Sequence, residues 1–551
     1  MLKIINFGAT LITIVATPWI NTDALIVPKI LLLAALAGYL LPFIVENFKH
    51  MFKSYILRIL LVLSVLFVAQ MVAVMFLSSA PFEQEFFGRT GRGLGFLTYI
   101  SLVILMIASS VKTNIWNLRS IAFAIFVSCI ISSLYSILQY SGIDLFEWQS
   151  RTNGIIGTLG NPNFQSGFVA MALIPSVMFL KSTKNSFITI PATIAVFGIT
   201  LLITESTQGY VAVAAAFSIT SLIYLWFREY KKIFLIGLIL TALSSLFAVF
   251  GMLNRGPLSY YLYKPSVRSR GEMWQTASDM IKDNPYFGVG LDSLGDYSLK
   301  YRNEKTNNGI AEYIDNCHNF FLQFAATGGL PLAIIYIFIV ILTLFGFIKI
   351  ILSMSKFEPF IISLFAAWIV FQLQSIISPA TIPTLVWNFV ISGSIIGLAS
   401  NSSIKLSTEI SPNYINKKSN KVEKNVFNYK ISGIFLLVSS LFITLPLVNA
   451  DKMARDANLK GDALLAVKAS KKYPESVVRY NLLGADLYQS GLYELSLEIG
   501  RSAVKFNPNS YQTWILILVN PEATISEREI AKQALVRIDP LNKVIRDYPI
   551  K

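Results

Sequence analysis

One stretch of the sequence collects residues that could do chemistry. Arg268-Ser-Arg-Gly-Glu-Met-Trp274 is followed by Asp283-Asn-Pro-Tyr-Phe-Gly-Val-Gly-Leu-Asp292 and then by Asn316-Cys-His-Asn319. A guanidinium stays charged and grips phosphate oxygens two at a time, so Arg270, with Arg268 beside it, suits an anionic ligand. An imidazole titrates near neutral pH, so His318 suits a proton transfer. The plainer alternative is that both arginines snorkel to lipid head groups and His318 is merely interfacial. No metal centre is expected. His318 and Cys317 are adjacent and lack paired ligand spacing, and Asp292, Asp296, Glu304, Glu312 and Asp315 are scattered without a cation loop. No nucleotide-phosphate motif is present either.

These residues need elements to hold them. Met273, Trp274, Ala277, Met280 and Ile281 recur at helical spacing with polar residues opposite, which predicts an amphipathic helix along a membrane interface. Asn284-Pro285 should end that helix, and Gly288 and Gly290 should let the chain turn sharply. Loops as long as 253–318 are uncommon unless they carry function.

The rest of the chain is overwhelmingly apolar. Of its 551 residues 54% are hydrophobic and 14% charged, with mean hydropathy +0.59. Soluble chains average about 25% charged residues, so this composition indicates membrane spans. The net charge of +15 comes in short tufts between apolar runs, whereas a nucleic-acid binder clusters its charge on one solvated face. Two cysteines, Cys129 and Cys317, make no disulfide framework, and the first apolar stretch has no cleavage site.

Thirteen spans are predicted, near 4–20, 26–46, 55–78, 94–111, 119–140, 164–180, 187–204, 209–227, 232–252, 319–348, 358–378, 384–400 and 431–449. The first is broken by Pro18, and the twelfth follows Pro379 and Pro383 closely enough to be partly re-entrant. With the N-terminus inside, the inner loops hold Lys49, Lys53, Lys112, Arg119, Lys181, Lys184, Arg228, Lys231, Lys232, Lys349 and Lys356. A last tuft over 405–430 adds six lysines, while the short outer loops hold only Arg89, Arg92 and Arg151. The predicted organisation is therefore nine spans over 1–252, a long outer loop over 253–318, and three spans over 319–400. An inner linker over 401–430, a last span over 431–449 and an outer domain over 451–551 follow.

In that outer domain Tyr480, Leu483, Gly484, Leu487, Gly491, Ala503 and Pro508 match the tetratricopeptide pattern. Ala469 and Pro474 repeat Ala503 and Pro508 at a 34-residue offset. Such helix pairs either present a concave surface to a protein partner or simply cap the outer face.

Read in order, Arg270-x-x-x-Trp274, Asp283-x-Pro285-x-x-Gly288-Val-Gly290 and His318-Asn319 resemble the O-antigen ligase and polymerase superfamily. Phe320-x-Leu322-Gln323 and Gly328-Gly329-Leu330-Pro331 are similar to the segment that follows its loop histidine. Upstream, Phe87-Gly-Arg-Thr-Gly-Arg-Gly-Leu-Gly95 and Gly157-Thr-Leu-Gly-Asn-Pro-Asn163 resemble its outer-loop motifs, so the likeness spans roughly 85–400. It implies an all-α polytopic membrane protein, GT-C-like, with a C-terminal helical tetratricopeptide segment. The implied reaction moves a glycan from undecaprenyl pyrophosphate to a hydroxyl of lipid A core, another glycan or a protein, without a metal or cofactor.

A departing pyrophosphate needs fixed cations. Arg270 is the first candidate, helped by Arg268, Arg92 and Arg151, with His318 as general base in an inverting displacement. Where the family often reads Ser-Arg-Gly, this chain has Thr207-Gln208-Gly209, and Gln208 supplies no charge. Asn161, Asn163 and Asn319 either contact sugar or shape their loops, and Glu205 either orients an arginine or is solvated. Polymerase and protein O-oligosaccharyltransferase are the readings nearest to ligase. A polysaccharide transporter is disfavoured by spans nearly free of charge. An envelope assembly factor would not need so many spans.

Overall fold

The computed structural model describes residues 1–111, 113–146, 148, 155–302, 314–400 and 420–550, with side chains omitted for 420–428. Arg151, Lys112, Glu304, Glu312, Lys405, Lys417 and Lys418 lie outside the described residues, and the side chains of Lys421 and Lys424 are likewise undescribed. The described chain is all-α. In order, the helices are α1 (Leu2–Ile14), α2 (Ile26–Lys53), α3 (Tyr55–Leu77), α4 (Phe82–Phe87), α5 (Phe96–Ser110), α6 (Ile115–Tyr140), α7 (Pro162–Lys181) and α8 (Ser186–Ile203). Then come α9 (Thr207–Phe227), α10 (Lys231–Met252), α11 (Ser259–Leu262), α12 (Pro265–Asp283), α13 (Leu294–Tyr297), α14 (Phe320–Ser353), α15 (Pro359–Ser375) and α16 (Ile382–Ala399). The chain finishes with α17 (Asn420–Lys460), α18 (Ala463–Ser470), α19 (Val477–Gln489), α20 (Tyr493–Phe506), α21 (Tyr511–Leu518), α22 (Ile525–Ile538) and α23 (Lys543–Arg546).

Ten of these helices are long and apolar enough to cross a membrane, and α1, α5 and α15 are shorter apolar helices. Together they stand at the thirteen predicted positions, with four differences. The first helix stops at Ile14 instead of residue 20, because Thr17-Pro18 turns the chain and the Thr17 N–H donates to Ala24 O at 2.9 Å. The twelfth position is a complete helix: α16 is capped by Thr381 and enclosed almost all round by its neighbours, with no re-entrant break. The tenth, α14, runs to Ser353 and bends at Gly329, whose φ of 81° leaves the helical region. Finally, α17 begins at Asn420 inside the expected linker and continues to Lys460 without a break at 451.

One large apolar core joins the membrane-level helices, α16 resting on α5 and α14, α15 on α7 and α9, and α17 along α2. The α9–α10 pair is peripheral, and α10 shows almost its whole surface outward. Over 451–550, short helices build two further apolar clusters. Ala469, Tyr480, Leu483, Leu487 and Ala503 share the first, and Leu497, Ile517, Ala531 and Leu535 the second. The segments 78–95, 155–161, 204–206 and 253–302 and these C-terminal helices gather at one end of the bundle, joined by the hydrogen bonds described next.

Candidate active site

The bend in α14 builds the floor of the site. At Gly329 the helical ladder is interrupted, which leaves carbonyls at the end of its first segment without intrahelical partners. The segment after α12 takes them up: Val289 N–H donates to Ala326 O at 2.9 Å, Gly290 N–H to Thr327 O at 3.1 Å, and Leu330 N–H returns to Pro285 O at 2.8 Å. Gln70 of α3 ties the seam by donating to Tyr286 O and Gly328 O, at 2.7 and 3.0 Å. Two backbones can approach this closely only where side chains are absent. A Cβ on Gly288 would lie 2.4 Å from the Thr327 carbonyl carbon, and one on Gly329 would lie 2.2 Å from Tyr286 O. The Gly288-Val-Gly290 and Gly328-Gly329 motifs are thus two halves of one contact.

The acidic residues of the loop form the next layer. Asp292 accepts the N–H groups of Arg89 and Leu94, at 2.8 and 3.1 Å. Asp296 accepts Gln84 Nε2, Arg89 Nη1 and, from the C-terminal helices, Asn507 Nδ2, each within 3.0 Å. Glu85 Oε1 accepts Leu291 N–H at 3.0 Å and the Ser78 hydroxyl at 2.8 Å, and burial pushes this carboxyl up to about 7 against those two bonds. Arg92 makes two 2.9 Å bonds to Asp315, through Nε and Nη2. Burial works against ionisation of Asp315, but the Arg92 bonds outweigh it and hold the carboxyl below its ordinary range. The glycine-rich turn 88–95 is therefore a clamp on the long loop.

Above that clamp sits His318. Its N–H donates to Asn316 Oδ1 at 2.8 Å, which fixes the residue at φ 54°, a conformation uncommon for a side-chain-bearing residue. Asn319 caps α14, its Oδ1 accepting from Phe321 and Leu322 N–H at 3.1 and 3.0 Å, so the imidazole is presented at the start of that helix. His318 Nδ1 is buried without a hydrogen-bond partner among the described residues, and so are Arg270 Nε, Trp274 Nε1 and Gln208 Oε1. Burial, then the fields of Arg270 and Arg92, lower His318 to about 4, against the opposing pull of Asp315. The imidazole is accordingly neutral at pH 7, and burial likewise lowers Arg270 from its ordinary value. Arg270 is the arginine left open: it is half-buried and forms no ion pair among the described residues.

The structure gives the other expected residues different surroundings. Arg268 is exposed on α12 and lies 3.6 Å from Glu272, one turn on. Arg92 is engaged by Asp315, and its positive field reaches His318. Asn161 caps α7 by accepting Asn163 N–H, while Asn163 accepts the Ser206 hydroxyl at Oδ1 and Gln208 Nε2 at its carbonyl, so both shape the loop. Glu205 sits at φ 50° in the same turn and is exposed. Lys264 escaped the sequence reading. From the start of α12 it donates to Thr207 Oγ1 at 2.9 Å, putting a cation beside Gln208. Its position immediately before Pro265, a residue favoured in the first turn of a helix, was the available signal. Burial pushes the Cys317 thiol up to about 12, which excludes a thiolate nucleophile at neutral pH. Among the described residues, no cluster of three or more His, Cys, Asp or Glu side chains is arranged to hold a metal ion.

Residues 192–337, from the middle of α8 to the middle of α14, match the family model described as O-Antigen ligase. The match encloses Lys264, Arg270, Asp315 and His318, and that family is of membrane proteins that act on lipid-linked glycans. No curated protein matches the chain.

Proposed function

We propose that this multi-pass membrane protein, whose residues 192–337 form a domain of the O-antigen ligase family, transfers a glycan from undecaprenyl pyrophosphate to an acceptor hydroxyl. The observation that carries the reading is a neutral His318 in the field of an arginine, Arg270, that has no carboxylate partner among the described residues. In the proposed step the acceptor oxygen attacks the anomeric carbon as the carbon–oxygen bond to pyrophosphate breaks. The hydroxyl proton passes to His318, and the charge gathering on pyrophosphate is met by Arg270 and Lys264. A single displacement inverts the anomeric centre and uses no metal.

Charge asymmetry between loops supports placing the clamp and residues 451–551 on the outer face of a bacterial inner membrane, with the N-terminus cytoplasmic. The tetratricopeptide-like pattern over 451–551 supports a helical domain that braces the loop, because its Asn507 and Asn509 bond Asp296 and Tyr297. That bracing favours ligation to a lipid A core, glycan or protein acceptor.

The test is transfer by purified protein in detergent, with EDTA throughout, from an undecaprenyl-pyrophosphate oligosaccharide to each acceptor class. Transfer to lipid A core alone supports the ligase. Elongation of the donor itself would make the protein a polymerase, and absence of transfer to every acceptor would overturn the reading.

Two expected results follow from the charges. With its pKa near 4, His318 stays in base form as pH falls from 7, so kcat/KM should decline on the acid side only near pH 4. Bound pyrophosphate offsets the field of Arg270, so the corresponding limb of kcat should lie closer to neutral. Coincident limbs near 6.5 would remove His318 as the base. Lys264→Ala should raise the donor KM about tenfold, or ~1.4 kcal/mol for an exposed charge-assisted contact, and Lys264→Arg should restore it. An unchanged KM would show that nothing compensates for Gln208.

A further inference from the structure

A second concavity lies on the loop side of the bundle, between the turn after α1 and the turn before α7. It encloses about 180 Å³ and is lined by Pro18, Asn21, Thr22, Asp23, Trp148 and Gly160, among others. A water's share of liquid volume is about 30 Å³ and a drug-sized pocket begins near ~300 Å³, so the space suits one small ring.

Its walls are of two kinds. Trp148 is tethered at its edge, with Nε1 donating to Tyr135 Oη at 2.8 Å, while Tyr135 donates to Asp144 at 2.5 Å. That tether occupies the indole's one donor, and the π face is what the residue has left to offer. Phe146 packs edge-on to Trp148 and tilted against Trp19, which stiffens the aromatic side. The polar side carries Thr22, whose hydroxyl is buried with no partner among the described residues. Asn21 on the same side is already engaged, bonding Val448 O at 3.4 Å and the Asp451 carboxylate, so the Thr22 hydroxyl is the group this wall offers. An aromatic face across from an open hydroxyl matches a pyranose, whose C–H face stacks while a rim hydroxyl hydrogen-bonds.

A chain of bonds also links one wall of the cavity to the clamp. Asp23 Oδ2 accepts Gly91 N–H at 2.8 Å, and the next residue, Arg92, grips Asp315 below His318.

We infer that this cavity is a saccharide subsite, holding one sugar ring of a glycan chain at a distance from the ring that reacts. The inference rests on the glycan-transfer reading, since a chain that crosses the turn must begin at His318. The subsite takes a ring of either the donor glycan or a glycan acceptor, and the two sources are separable by kinetics.

The test compares wild type with Trp148→Ala, Trp148→Phe and Thr22→Val in transfer from a long and a trimmed undecaprenyl-pyrophosphate oligosaccharide. It adds saturation-transfer NMR with free maltotetraose and chitotetraose as probes. Expected are a roughly tenfold rise in KM with Trp148→Ala, a smaller rise with Thr22→Val, and near-recovery with Trp148→Phe. A rise confined to the long donor assigns the ring to the donor, and a rise in the acceptor KM assigns it to the acceptor. Wild-type transfer with KM and probe binding unchanged in both Trp148→Ala and Thr22→Val would overturn the subsite. If wild type transfers nothing but binds a probe that Trp148→Ala releases, the transferase reading fails and the subsite stands. Absence of both transfer and probe binding in wild type would overturn the two together. Thr22→Val is nearly isosteric, so it remains informative if Trp148→Ala does not fold.

Discussion

His318→Ala is expected to lower kcat by between about 10² and 10⁴, the usual contribution of a positioned general base, while leaving the donor KM near its wild-type value. Removing the imidazole takes away the proton acceptor but leaves Arg270 and Lys264 to bind pyrophosphate. Arg270→Ala should differ in kind. Loss of the charge that meets the leaving group should lower kcat by ~10²-fold or more and also raise the donor KM, because the same guanidinium holds the ground-state pyrophosphate. Steady-state kinetics on folded, detergent-purified variants separates the two. Arg270→Lys should recover only part of the rate, because an ammonium cannot reproduce the two-pronged grip. If both variants transfer at the wild-type rate, neither residue belongs to the reaction. Arg92→Ala makes a useful contrast, since Arg92 acts through Asp315 and the position of the loop.

Gly288→Ala should be severely damaging although Gly288 lies outside the proposed catalytic pair. The residue sits at φ 64°, where a side chain costs ~1–2 kcal/mol, and its Cβ would meet the backbone of α14 at 2.4 Å. Relief requires the segment to move off α14, which breaks the adjoining Val289 and Gly290 bonds at roughly 1 kcal/mol each. A loss of about 3–4 kcal/mol follows, read as a lower thermal midpoint and an inactive protein. Gly142 is the control, at φ 75° with nothing within 4 Å of an added Cβ. Its alanine variant should carry only the conformational cost. Equal behaviour of the two variants would mean that the Gly288 seam does not hold the loop.

Arg270 and His318 were singled out in the sequence by type and place, an arginine on an amphipathic helix and a histidine just before a span, and in the structure the field of Arg270 reaches His318. The apolar helices were legible for the same reason, since ~20 apolar residues have few other uses. The partners were not. Asp292, Asp296 and Asp315 read as scattered carboxylates because Arg89 and Arg92 lie some two hundred residues earlier in the chain. Spacing along a sequence carries no trace of such pairings. Arg92 was therefore read as a helper for donor pyrophosphate with no sign that Asp315 would hold its Nε and Nη2 edge. The asparagines were ambiguous between sugar contact and turn, and only the bonds they accept distinguish the two. Pro18 was read correctly as a break in the first span, but not as its end.

The triple bonding of Asp296 has a consequence for how the protein comes into being. Two of its donors, Gln84 and Arg89, emerge from the ribosome well before Asp296 itself, and the third, Asn507, emerges more than two hundred residues after it. Arg302 waits longer still for Asp539, from which it lies 2.6 Å away. A nascent chain can thus insert every helix of its bundle while its long loop still lacks the last of its fastenings. The loop becomes fully anchored only once Asn507 and Asp539 have been made, so a chain cut short before them would be present in the membrane and idle there.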